Sequence, residues 1–118
     1  MDFKVLLIAP YENIDILNDN IDINVVLPTG DVYSATLFTI ANIQAMLEKS
    51  DDGYFNSEDM IIVKELTVPT IRFAINNIIN NGSIELTMSK VGHIQDVLPG
   101  ILTYEEIKDF GSPLYGLK

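Results

Sequence analysis

Apolar and polar residues alternate in two runs between Ile21 and Phe38, and Pro28-Thr29-Gly30-Asp31 separates the runs. In the first, Ile21, Ile23, Val25 and Leu27 fall on one face and Asp22 and Asn24 on the other, the period of a half-buried strand. The break reads as a turn, because proline pre-sets φ and glycine supplies a positive φ. In the second run Tyr33, Ala35 and Leu37 share a face opposite Val32, Thr36 and Phe38. Both faces are partly apolar, which predicts a strand inside a sheet with material packed on each side. Thr39 offers an N-cap, and Ile40, Ile43, Met46 and Leu47 recur at helical spacing, a stripe expected to be buried.

The same patterns divide the rest of the chain. Phe3 to Ala9 reads as a strand ended by Pro10, residues 11–20 as a loop or a poor strand leading into the hairpin, and residues 50–59 as an exposed loop rich in turn formers. Met60 to Val63 is a short β-branched run suited to a central strand. Thr67 starts a second helix with Pro69 in its first turn, with Ile71, Ala74, Ile75 and Ile78 as its stripe and Gly82 as its stop. Ile84, Leu86 and Met88 alternate with polar residues and predict a last strand, while 91–98 fits either helix or strand. Thr103 and Glu106 form a capping box for a short C-terminal helix, with Leu102 able to staple to Ile107 and Gly111 at its end. The fold class expected is α+β: a small, mainly antiparallel sheet of about four strands, two main helices packed on it, and a short C-terminal helix. The 118 residues read as a single domain, 1–118, with 89–118 either integral to it or a packed C-terminal extension.

Composition narrows the function classes. A hydrophobic fraction of 47% supports a real core, and a chain of this size buries roughly two thirds of its unfolded surface. There is no cysteine, which removes thiolate nucleophiles, thiolate metal sites and disulfides, and suits a cytoplasmic location. VLLIA near the N-terminus is far short of the roughly 20 residues that span a bilayer. The net charge of −10 is concentrated: residues 1–60 hold 11 acids against two lysines. Such a surface repels phosphate backbones and anionic membranes, so neither nucleic acid nor membrane is expected as a partner. A basic protein is its electrostatic complement.

GDVYSATLFT (30–39), GYF (53–55), DMIIV (59–63) and the TVPTIRFAINNII helix (67–79) resemble small bacterial proteins of no assigned activity. The resemblance covers roughly residues 22–88 and rests on core and turn residues. It implies a shared fold and a soluble, non-enzymatic bacterial protein, and it carries no catalytic residue over to this chain.

Motifs for chemistry are sparse. His93 is the single histidine, with Asp96 three residues on, and no G-x-S-x-G or phosphate-binding glycine motif occurs. Glu48, Ser50, Asp52, Gly53 and Asp59 imitate a calcium loop, but Ser replaces a carboxylate at the third position and Asp stands for the bidentate Glu at the twelfth. No metal and no cofactor is expected. The first functional reading is a non-enzymatic protein-binding module of immunity or antitoxin type, meeting a basic partner through Glu12, Asp15, Asp19, Asp51, Asp52 and Tyr54. The alternatives are a ligand pocket or small enzyme site using His93, Asp96, Tyr104 and Tyr115, and a homodimer formed through an exposed edge strand at 3–9 or 83–88.

Overall fold

Nine residues, Asp31–Thr39, make the longest strand, and the sheet is assembled on them. In the computed structural model, which describes residues 2–98, 100 and 103–111, this strand is β3. β2 (Asn20–Val26) lies antiparallel along its length, from Asn20 opposite Phe38 to Val26 opposite Val32. The turn between them is closed by Gly30 N–H donating to the Leu27 carbonyl at 2.8 Å, with Gly30 at a φ of 96°. That is the left-handed conformation glycine adopts without steric cost. β1 (Lys4–Leu7) pairs antiparallel with β2.

Two strands share the other side of β3. α1 (Ile40–Lys49) carries the chain across to β4 (Met60–Val63), which runs parallel to Thr36–Thr39. α2 (Val68–Asn80) and the single turn α3 (Ile84–Thr87) lead to β5 (Ser89–His93), antiparallel to Asp31–Ser34, and α4 (Ile94–Val97) follows. The α+β architecture is as expected, with five strands rather than four and a 3-10 turn, Tyr104–Glu106, as the C-terminal helical piece.

Alternation sorts the side chains as the sequence predicts. Ile21, Ile23, Val25, Tyr33, Ala35 and Leu37 form one face, and Ile71 and Ile75 of α2 bury themselves completely against it. On the opposite face Leu6, Val26 and Val32 make a smaller core with Ile94, Leu98 and Ile107.

Four expectations change. Residues 84–88 are not a strand: Met88 N–H donates to the Ile84 carbonyl at 2.9 Å, and Ile84 and Met88 turn inward together. Leu86, which alternation would place beside them, is 91% exposed. The edge at 83–88 proposed for a homodimer therefore does not exist. β4 is an edge strand rather than a central one, with Ile62 exposed. α1 buries none of its residues fully: Ile40 and Leu47 of the expected stripe are exposed, and Ile43 and Met46 are only half-buried. Thr103 donates its hydroxyl to Glu106 rather than capping a backbone N–H, and only the 3-10 turn forms. Leu102 lies outside the described residues.

The β1 edge, the other proposed dimer surface, is covered by the chain itself. Ile107 packs against Leu6 and Val26 on one face. The backbone then passes round the edge: Phe110 N–H donates to the Val5 carbonyl at 2.6 Å and Leu7 N–H to the Gly111 carbonyl at 2.7 Å. Phe110 packs on the main core. Lys4 Nζ donates to the carbonyls of Tyr104 and Ile107 at 2.9 and 2.8 Å and stands 4.6 Å from the Tyr104 ring centre. Asp109 accepts the Val5 N–H at 2.9 Å and pairs with Arg72, whose guanidinium lies 5.0 Å from the Phe3 ring and 5.8 Å from the Phe110 ring. Burying a bare sheet edge in this way removes a template for unwanted strand pairing.

Candidate protein-binding surface

Thr39 is fully buried and ties two elements together. Its hydroxyl accepts from Asn42 N–H at the start of α1 and from Asp19 N–H in the loop before β2. Its own N–H donates to the Asp19 carbonyl at 3.2 Å. Asn42 completes the join through its side-chain amide, bonded to Asn20 at 2.8 Å and to Asn18 at 3.4 Å.

The loop so anchored is closed on itself by carboxylates. Asp19 accepts the N–H of Asp15 at 3.1 Å and of Asn20 at 2.8 Å, and Asp15 accepts the N–H of Leu17 at 3.1 Å. Leu66 N–H donates to the Ile16 carbonyl at 2.8 Å from the far side. The backbone of 15–20 is thus held in one conformation, and it presents an apolar pair among polar neighbours: Leu17 is 60% exposed and Ile16 is exposed beside it, as are Asp15, Asn18 and Asn20. Ile40, one residue past Thr39, is 62% exposed. Each of the two carboxylates has lone pairs beyond those its backbone bonds use.

The residues singled out from the sequence separate into two groups. Asp15 and Asp19 build this loop, and exposed Glu12 precedes it on the short 3-10 turn Tyr11–Asn13. Asp51, Asp52 and Tyr54 follow the other end of α1, about 15 Å along a ten-residue helix. There Phe55 sets its ring edge-on to Phe38 at 5.2 Å, while Tyr54 projects with 66% of its surface exposed. Leu17, Ile16 and Ile40 were not anticipated as surface. The only hint was an apolar pair set inside a run of Asp and Asn.

The second set of residues does not converge. His93 and Asp96 are both exposed, and the His93 ring lies over Gly30, where a methyl group on the glycine would stand 2.1 Å from Nε2. Tyr104 belongs to the β1 strap; burial raises its hydroxyl pKa above the usual tyrosine value, and the nearby Asp2 and Asp109 charges add to this. Tyr115 lies outside the described residues. Among the described residues no three His, Asp or Glu side chains gather where they could hold a metal ion.

A concave feature does exist elsewhere. A cavity of about 370 Å3 opens where β1 ends, between Leu7, Pro10, Tyr11 and Glu12 on one side and Phe110 on the other. Tyr11 is fixed by its hydroxyl donating to the Leu66 carbonyl at 2.9 Å. Phe110 adopts a φ of 60°. A bulky side chain rarely takes that conformation, and such strain is found where the surroundings over-determine a residue's position.

No protein-family model, no curated protein and no solved structure matches the chain. Among the described residues no helix is long and apolar enough to cross a membrane.

Proposed function

We propose that this chain is a non-enzymatic, acidic protein-binding module, cytoplasmic and of immunity or antitoxin type, whose partner presents a basic surface. The observation that carries the reading is the pre-set loop 15–20, whose backbone is fixed by Asp15 and Asp19 and which leaves Leu17 exposed between them. Binding is strengthened when the docking backbone needs no ordering on contact. Apolar anchors at the centre of an interface contribute most of the affinity, while rim charges set encounter rate and partner choice. The net charge of −10 favours a cationic partner at long range.

The test is capture of interacting proteins from the source cell by wild-type protein and by Leu17→Asp. Wild type is expected to retain a basic protein at low salt and release it as salt rises, and Leu17→Asp to lose most of that capture while keeping its fold. Capture indifferent to both salt and Leu17→Asp refutes the reading.

A further inference from the structure

We infer that the cavity at the end of β1 receives one arginine side chain of the basic partner; this rests on the docking reading above and gives it a specific contact. The cavity's volume, about 370 Å3, sits at the low end of the range for small-molecule sites, which suits a side chain rather than a large cofactor. Its walls are chiefly apolar: Leu7, Pro10, Tyr11 and Phe110. Among the described residues Glu12 is the one charged residue that lines it, and its side chain is exposed.

That combination selects the ligand. A neutral apolar group would gain nothing from Glu12, and an anion would be repelled both by Glu12 and by the body of the protein. An alkyl guanidinium satisfies every wall at once. Its methylenes lie on apolar surface, its planar head stacks on aromatic rings, and its paired N–H groups match a carboxylate. Two features hold the aromatic rings in place. Tyr11 has its hydroxyl committed to Leu66, so the polar tip is not free to compete for the guest. Phe110 is fixed in its strained conformation by its own N–H bonded to Val5 and by the neighbouring Asp109 paired with Arg72. Glu12 lies three residues before Asp15, in the segment that leads into the loop.

The experiment is an NMR titration of the full chain with N-acetyl-arginine amide at physiological salt. A probe of this size is expected to bind on the order of millimolar. Saturable shifts should centre on the amides of Ala9, Tyr11, Glu12 and Gly111. Glu12→Gln, a change on an exposed turn, should weaken the probe roughly two- to fivefold, as expected when an exposed ion pair is lost. The citrulline analogue, which keeps the shape and removes the charge, should fail on the unaltered protein, so the answer does not depend on the variant folding. The lysine analogue should bind more weakly than arginine. The inference is overturned by the absence of saturable shifts, by equal binding to Glu12→Gln, or by shifts centred on Asp51 and Asp52. Contacts from the protein's own residues 112–118 filling the cavity in the free protein would overturn it too. The two readings fail separately. If the probe does not bind at Glu12 while Leu17→Asp still abolishes capture, only the arginine contact falls. If the probe binds while capture ignores salt and Leu17, the docking reading falls and the cavity stands as a site for a cationic ligand.

Discussion

Removing the Asp109 carboxylate tests how the C-terminal strap is held to β1. Asp109 does two things: it accepts the Val5 N–H at 2.9 Å, and it pairs with Arg72. These contributions differ in size. Both partners of the ion pair keep a third or more of their side-chain surface in water, 43% for Arg72 and 34% for Asp109. Such a pair contributes about 0.2–1 kcal/mol. The bond from the buried Val5 backbone to a charged oxygen contributes about 1.5–3 kcal/mol, since its loss leaves a donor with no replacement. Asp109→Ala is therefore expected to cost about 2–3 kcal/mol, while Asp109→Asn, which keeps a carbonyl oxygen for Val5, costs about 1 kcal/mol or less.

Urea unfolding monitored by circular dichroism measures both losses, and amide exchange at Val5 and Leu7 locates them. For Asp109→Ala the exchange of these two amides should rise more than that of β3 amides, because the strap opens before the sheet does. A double-mutant cycle with Arg72→Ala isolates the ion pair, with a coupling of about 1 kcal/mol or less expected. The reasoning fails if Asp109→Ala and Asp109→Asn are equally destabilising, or if the coupling accounts for the whole loss. Either result would make charge, not the backbone bond, the main restraint on the strap.

Two further perturbations probe other parts of the fold. Tyr33 is buried with its hydroxyl donating to Glu85 at 2.5 Å; that bond, then burial, then the charges of Glu85 and Asp31 push its pKa up to about 12. The folded state therefore favours the neutral phenol. This contribution is fully present below the unfolded value near 10 and is lost as pH rises from there to about 12. With solvent screening at exposed Glu85 it amounts to about 1–2 kcal/mol, so Tyr33→Phe should flatten the alkaline limb of a stability–pH curve, and an unchanged limb would refute the assignment. Gly30→Ala should destabilise by about 1–3 kcal/mol, because a Cβ at φ 96° is strained and would meet the His93 ring. His93→Ala added to Gly30→Ala should recover part of that loss, whereas no recovery would mean the ring is not the obstacle.

What could be read from the sequence was what is local. The hairpin, the Thr39 cap, the stripe of α2 and the stop at Gly82 depend on neighbours within a few residues, and the structure has them where the pattern puts them. The short helix at 84–87 was misread because positions i, i+2 and i+4 serve a strand while i and i+4 alone serve a helix, and Leu86 cannot arbitrate from sequence. The α1 stripe was over-read for a different reason. Periodicity says which face of a helix is apolar but not whether a sheet face waits beneath it. The strap on β1 joins residues about a hundred positions apart, such as Lys4 with Tyr104 and Ile107, and no local pattern encodes that pairing. The acidic loop was visible as composition only; that Asp15 and Asp19 use their carboxylates to fix a backbone, and so display Leu17, is a consequence of folding.

This double use of the acids bears on how the surface could have arisen and what it would tolerate. Asparagine in place of Asp19 could still accept a backbone N–H through its amide oxygen, so the loop geometry does not by itself require charge. The acid is needed only if its field matters, either against the local backbone donors or toward something outside the molecule. Elsewhere the chain spends charge sparingly for structure: among the described residues the ion pairs are Arg72 with Asp109 and Lys90 with Asp31. Eleven acids in the first 60 residues exceed what those contacts use. An unneutralised excess of that size opposes compaction through self-repulsion, so it weighs against stability unless it serves solubility or recruitment. Solubility alone would be served by charge anywhere on the surface. Two of the eleven, Asp15 and Asp19, sit on the fixed loop beside exposed Leu17, and it is these two that the proposed recruitment of a cationic partner would use.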